Sequence, residues 1–394
     1  MRLLLCTNAF PPADREGGPP FSGLHLATAL VEAGAQVRIV TTNRNGSHRL
    51  DVPTDQWREF QGLPVWYAST WRGPWVYGRA LSRVIREEVA RADGVINSST
   101  LWTYAGYCSW RACSKFGKPS LLYPRNLLSP WALGYRGVRK RLHWNLLGRH
   151  IVESADAIVA LTEKEREDVR RMGVRARVEV IPNGAVMPDS SPALTRGALD
   201  RLLPALAGRR FVLFLGRLHA IKGLDLLLAA IESLSGEFPE VAFVLAGPLD
   251  RSYGPRMKAL VDRHDPLRRV LLPGTVRGES KALLLKFASV FVLPSYSEGL
   301  PVAVLEALAN GCPVVVTKQC NLPEVVIAGA GREINPDQSE LTAAVRQILL
   351  DEGLRQQMAS NALRLVKERF DWGAIGIKVL SLFEETDRLA PGRR

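Results

Sequence analysis

Ser295-Tyr296-Ser297-Glu298-Gly299-Leu300-Pro301-Val302-Ala303-Val304-Leu305-Glu306-Ala307-Leu308-Ala309-Asn310-Gly311-Cys312-Pro313 lies between two apolar, β-branched runs, 289–294 and Val314–Thr317. The middle must therefore cross between two buried parallel strands, which makes the stretch a βαβ unit. Pro301 is favoured at the first helical position, where its missing N–H would be unpaired in any case, and Gly311 suits the left-handed residue that ends a helix. A helix is predicted over 301–310.

That helix is apolar except at Glu306 and Asn310, one turn apart on a shared face. Glu298 stands just upstream, in the turn at the carboxyl end of the strand, where open α/β sheets bind ligands. The free N–H groups of Gly299, Leu300 and Val302 point out of the helix start and form an anion site suited to a phosphate. Glu306 and Asn310 could instead be the wet side of a surface helix. Against this, a helix so apolar looks covered, and a buried carboxylate without partners costs several kcal/mol. Glu298, between serine and glycine, is a poor structural choice unless its charge is used.

The pattern Pro-Ser-x-x-Glu-Gly-Leu-Pro-x-x-x-Leu-Glu-Ala-Leu-Ala-x-Gly-x-Pro-Val, with Glu298-x7-Glu306 inside it, resembles the donor-site motif of family 4 glycosyltransferases. The resemblance implies the GT-B fold: α/β, two Rossmann-like doubly wound domains facing across a cleft, with a C-terminal helix crossing back.

At 394 residues and roughly 150 residues per domain, the chain has room for two or three domains. A hydrophobic fraction of 46% and a charged fraction of 23% are those of an ordinary soluble protein. The formal net charge of +13 favours anionic partners. Five scattered cysteines form neither a disulfide framework nor a zinc pattern, which predicts a reduced, cytoplasmic protein. The apolar run at 3–6 is too short for a signal peptide, and no run approaches the roughly 20 residues that span a bilayer. Membrane contact would be peripheral.

The first domain is predicted over 1–185, with a C-terminal helix, 372–394, returning to it. A strand at 3–6, a loop with Gly17-Gly18, a helix and a strand at 37–42 make the first crossover. Gly-x-Gly-x-x-Gly is absent, which argues against a dinucleotide cofactor. Gly17-Gly18 could be an ordinary flexible turn; the resemblance implies that it lets the backbone approach the transferred sugar. Helices are predicted over 77–92, 102–116 and 138–153. Between the last two, 124–133 resembles a region of glycosyltransferases that build bacterial polysaccharides, Ser-Pro-x-Gly-Met-Leu-x-Pro-Trp-x-Leu. This implies a sugar contact for Arg125 and Asn126, although Asn126-Leu127 departs from Gly-Met. Arg136, Arg139, Lys140, Arg141 and Arg149, interleaved with Trp131, Trp144, Leu146 and Leu147, form a basic segment over 136–149. It is either a solvated face or a surface for an anionic membrane.

A linker over 185–210 leads into the second domain, 186–371. A strand ending at Gly216-Arg217 precedes Lys222-Gly223, which is not a phosphate-binding Gly-Lys-Ser/Thr loop. It still sets two cations at the sheet edge that carries Glu298. Each charged hydrogen bond to a diphosphate there is worth about 1.5–3 kcal/mol.

The expected activity is transfer of a sugar from a nucleotide-sugar donor to an acceptor hydroxyl on a sugar or lipid-linked acceptor, in bacterial surface polysaccharide or glycolipid synthesis. Arg217, Lys222 and the N–H groups at Gly299 and Leu300 neutralise the leaving diphosphate without metal or other cofactor. By resemblance Glu306 holds the ribose, Glu298 the donor sugar, Val276 the base through its backbone, and configuration is retained. A GT-B-fold epimerase would use the same phosphate cradle. A nucleic-acid-binding protein would suit the charge, but no helix-turn-helix, zinc finger or RNP-type aromatic motif supports it.

Overall fold

Uninterrupted Val, Ile and Leu runs force strands that are covered on both faces, and the sheets are built from such runs. In the computed structural model the described residues are 1–394 except 72, 74, 99–100, 135–136, 189–193, 251 and 390–394. Two units divide the chain: Met1–Asn183 with Trp372–Arg394, and Gly184–Asp371. Ala185, placed by sequence in the first domain, belongs to the second. It bridges Asp371, and its N–H donates to the Phe370 carbonyl at 2.8 Å.

The first unit contains β1 (Arg2–Cys6), β2 (Gln36–Thr42), the small hairpin β3 (Arg44–Asn45) and β4 (His48–Arg49), then β5 (Trp57–Phe60), β6 (Leu63–Ala68), β7 (Gly94–Asn97), β8 (Ser120–Leu122), β9 (Ala157–Ala160) and β10 (Val178–Val180). Its main sheet runs β10-β9-β8-β7-β1-β2-β6-β5, parallel except for the edge strand β5. The helices are α1 (Pro19–Glu32), α2 (Leu81–Arg91), α3 (Tyr104–Phe116), α4 (Pro130–Gly134), α5 (Gly137–His143), α6 (Arg149–Glu153) and α7 (Glu163–Arg171). A π-helical turn, Trp144–Gly148, joins α5 to α6. The helix expected from 77 begins only at Leu81; the Tyr77 carbonyl instead accepts the Trp71 N–H at 2.8 Å.

The second unit follows with α8 (Arg196–Leu202), β11 (Phe211–Leu215), α9 (Leu224–Glu237), β12 (Ala242–Ala246), α10 (Gly254–His264), β13 (Val270–Gly274), α11 (Gly278–Phe287), β14 (Val290–Leu293), α12 (Val302–Ala309), β15 (Val314–Thr317), α13 (Glu324–Ile327), β16 (Gly331–Ile334), α14 (Gln338–Leu350) and α15 (Glu352–Arg369). The all-parallel order β13-β12-β11-β14-β15-β16 is that of a doubly wound nucleotide-binding sheet, and it reverses between β11 and β14. The last helix, α16 (Trp372–Leu389), belongs to the first unit and packs on α1. Gly376 permits that approach, since a Cβ there would stand 2.7 Å from the Ala29 carbonyl oxygen. The five cysteines are buried and unpaired.

Candidate active site

The loops leaving β11 and β14 meet where the strand order reverses. After β11, His219 accepts the Ile221 N–H on Nδ1 at 3.2 Å and caps a 3-10 turn, Ala220–Lys222. Burial, then the Arg217 cation, hold the His219 pKa below its ordinary value, which keeps that nitrogen free to accept. Gly223 is left-handed at φ +66°, and a Cβ there would lie 1.9 Å from the Pro294 carbonyl oxygen. Only glycine lets this turn sit on the end of β14. Tyr296 N–H donates to the Ile221 carbonyl at 2.8 Å. The outcome is an ion pair: Lys222 Nζ is 2.5 Å from Glu298 Oε1, which also accepts the Ser295 hydroxyl at 2.6 Å. The two charged side chains are 19% and 12% exposed.

The backbone of Glu298 is held as firmly. Its N–H donates to the Gln319 carbonyl at 3.0 Å, and its carbonyl accepts Asn321 Nδ2 at 2.8 Å. The N–H groups of Gly299, Leu300 and Val302 have no acceptor among the described residues. The helix itself is Val302–Ala309, so Pro301 is its N-cap and not its first residue. With φ −75° and ψ 108° Pro301 is still extended, and its carbonyl accepts the Val304 N–H at 3.0 Å. Proline's fixed φ suits either position; ψ decides.

Glu306 Oε1 lies 2.5 Å from Lys281 Nζ on α11. Asn310 shares the face of Glu306 but bonds its backbone carbonyl, at 2.8 Å, and not its carboxylate. Arg217 is exposed and has no ion-pair partner among the described residues. Gly216 N–H is tied to the Ala246 carbonyl at 3.0 Å. Val276 is partly exposed between β13 and α11, and its N–H has no acceptor among the described residues. The structure thus gathers Lys222, Glu298, Gly299 and Leu300 into one corner, with Lys281 and Ser295 as partners that the sequence did not reveal.

In the first unit, Gly17 (φ +78°) is exposed and Gly18 is the N-cap of α1, its carbonyl accepting the Ser22 N–H at 3.0 Å. Arg125 and Asn126 follow β8 with φ +50° and +63°. Arg125 Nε donates to Ser98 Oγ at 2.7 Å and Nη1 to Ser22 Oγ at 2.8 Å, with the guanidinium 5.7 Å from the Tyr123 ring centre. Burial lowers its pKa. The Asn126 N–H donates to Glu165 Oε1, and Oε2 accepts the Leu161 N–H at 2.7 Å. Glu165 is 2% exposed. Burial raises its pKa, and the two N–H bonds pull it back. Thr162-x-x-Glu165 carries the spacing of a capping box, the one sequence signal that could have singled out Glu165. Thr162 Oγ1 does accept the Glu165 N–H, at 3.1 Å.

In the basic segment, Arg136 and the side chains of Trp131 and Arg139 lie outside the described residues. Lys140 donates to the Ala132 carbonyl and lies 5.8 Å from the Trp102 ring centre. Trp144 is buried, whereas Arg141, Leu142, Asn145, Leu146, Arg149 and His150 are exposed. Leu142 and Leu146, one turn apart, are 61% and 62% exposed. No helix among the described residues is long and apolar enough to cross a membrane.

Two family models match the chain: Glycosyltransferase Family 4 over residues 17–186 and Glycosyl transferases group 1 over 201–364. The D-inositol 3-phosphate glycosyltransferase of Xylanimonas cellulosilytica is 27% identical over 402 residues, spanning 97% of this chain and 95% of that protein. Among solved structures, Anabaena HepE in complex with UDP-glucose superposes with a TM-score of 0.76 at 19% identity, over 98% of this chain and 100% of that one. WaaG, a glycosyltransferase involved in lipopolysaccharide biosynthesis, gives 0.71 at 18% identity, over 100% of both. Both share the fold.

Proposed function

Since the chain belongs to the family 4 glycosyltransferases and has the GT-B fold, we propose that it transfers a sugar from a nucleotide-sugar donor to an acceptor hydroxyl with retention of configuration. The observation that carries this reading is the corner at the β11/β14 reversal, where a cation, a carboxylate and a run of unpaired peptide N–H groups converge. Negative charge grows on the diphosphate as the sugar departs. Lys222, Arg217 and the N–H groups of Gly299 and Leu300 meet that charge, the two N–H groups from a backbone already held in place. This neutralisation draws on no metal.

On donor arrival Lys222 exchanges its carboxylate partner for phosphate oxygen, which frees Glu298 for sugar hydroxyls. Glu306 likewise exchanges Lys281 for the ribose, and Val276 offers its N–H to the base. Gly17-Gly18 and Arg125-Asn126 serve the transferred sugar and the acceptor. UDP-glucose is the first donor to try, as it is what the HepE complex holds. A role in surface polysaccharide or glycolipid synthesis takes support from the likeness to WaaG. The exposed Leu142 and Leu146, flanked by Arg141 and Arg149, are the proposed contact with an anionic inner membrane face on the cytoplasmic side. Co-sedimentation with phosphatidylglycerol vesicles, lost in Leu142→Asp/Leu146→Asp, tests that contact.

The decisive experiment screens UDP-, GDP- and ADP-sugars for thermal stabilisation and then assays the best one with and without sugar acceptors. Acceptor-dependent release of nucleoside diphosphate supports transfer. An isomerised sugar nucleotide without acceptor would instead establish an epimerase, and no stabilisation by any of them would overturn the donor site.

A further inference from the structure

Asn321 stands outside every role assigned above, yet its side chain touches the corner. It follows β15 at the end of a 3-10 turn, Lys318–Cys320, with φ 55° and ψ 42°, a left-handed conformation for a residue other than glycine. Its Nδ2 donates to two successive carbonyls, Glu298 at 2.8 Å and Gly299 at 3.3 Å. Two oxygens facing one amide can be met only by its NH2 group, which fixes the orientation of the side chain.

In a planar trans peptide the C=O and N–H point in opposite directions. A grip on the Glu298 oxygen therefore turns the Gly299 N–H away from Asn321, and a grip on the Gly299 oxygen does the same for the Leu300 N–H. Both donors are left pointing out of the same side of the corner. Each carbonyl that accepts a bond also polarises its peptide, which makes the N–H on the other side a stronger donor.

The loop does not need these bonds to stay attached. The Thr317 hydroxyl is already on the Ser295 carbonyl at 2.5 Å, the Cys320 thiol on the Leu293 carbonyl at 3.5 Å, and the Glu298 N–H on Gln319. Thr317 and Cys320 are both fully buried. The Asn321 amide adds direction to an anchorage that others provide.

We propose that Asn321 is a positioning residue that aims the Gly299 and Leu300 N–H groups at the diphosphate of the donor. This rests on the reading of that corner as the donor site. Asn321→Gly keeps the left-handed backbone and deletes the amide. Calorimetry with UDP, GDP and ADP, and with uridine, guanosine and adenosine beside them, should show affinity for the bound diphosphate reduced roughly tenfold and affinity for its nucleoside unchanged. The donor KM should rise while the acceptor KM stays put.

Asn321→Asp keeps the size of the side chain but turns oxygen toward both carbonyls, and should lose more than Asn321→Gly even where its melting temperature matches. Equal loss of nucleotide and nucleoside, or no loss in either variant, overturns the positioning role while leaving the donor site standing. A wild-type protein that binds none of UDP, GDP and ADP overturns both.

Discussion

Arg125 in the first unit and Lys222 in the second both lie in loops that leave the carboxyl ends of parallel strands, β8 and β11, yet the two cations are held in opposite ways. Arg125 is fixed by two neutral hydroxyls, on Ser98 and Ser22, and has no ion pair among the described residues. Lys222 is fixed by a carboxylate that cancels its charge. The first arrangement locks position and leaves charge unspent; the second spends the charge until a stronger anion replaces the carboxylate. A buried pair contributes little net stability, because desolvation offsets attraction. An exchangeable pair in a ligand corner is therefore better understood through binding than through folding.

The largest effect should come from breaking the second arrangement. Lys222→Ala is expected to lower kcat/KM by roughly 10²–10³-fold, about 3–4 kcal/mol of transition-state stabilisation. It also strands Glu298, so some stability is lost with it. Lys222→Met/Glu298→Gln removes both charges together and should recover most of that stability without recovering activity. Steady-state kinetics beside urea denaturation makes the comparison, and an active double variant would show that the pair serves the fold.

The first arrangement should break the other way. Glu165→Ala leaves the partly buried Asn126 N–H and the buried Leu161 N–H unpaired, a loss of about 3 kcal/mol in unfolding free energy. Urea denaturation at neutral pH reads it directly. If stability is retained, the left-handed Arg125-Asn126 pair is held by something other than Glu165.

These two corners also mark what the sequence could disclose. The second was legible because each of its halves is a local signal: Gly216-Arg217 and Lys222-Gly223 after one apolar strand, and Glu298, a glycine and an eight-residue apolar helix after another. The partners were not. Lys281 reaches Glu306 from another helix, and Asn321 reaches Glu298 from the far side of β15; in sequence both are ordinary surface residues. In the first unit even the strand β5 is hidden, since Trp57-Arg58-Glu59-Phe60 is short and half charged and becomes a strand only by pairing antiparallel with β6. Glu165 looks like a solvated residue in the charged run Glu163-Lys164-Glu165-Arg166 until packing buries it.

A smaller effect sharpens the comparison within the second unit. Glu306 is 25% exposed and its partner Lys281 33%, a looser pair than Lys222 with Glu298. Glu306→Ala should raise the donor KM roughly tenfold, about 1.4 kcal/mol, with kcat little changed because ribose contacts are the same in ground and transition states. An unchanged donor KM would remove the ribose from the account of Glu306.

The smallest effect concerns what holds Lys222 in place. His219 must be neutral to accept the Ile221 N–H, and burial with the nearby Arg217 cation keeps its pKa below the ordinary 6.5. The unfolded chain therefore takes up a proton more readily than the folded one, and stability rises with pH through this range. The contribution is fully present above about pH 6.5 and is lost as the pH falls below it, up to the roughly 1 kcal/mol of one cap bond. His219→Asn offers a cap oxygen that does not titrate. Between about pH 8 and pH 5 the wild type should lose stability relative to that variant, and its affinity for a nucleoside diphosphate should fall in step, since the turn that carries Lys222 loosens. Parallel profiles for the two proteins would mean that the ring only fills space, and that the Lys222 corner is held by its ion pair and by Gly223 alone.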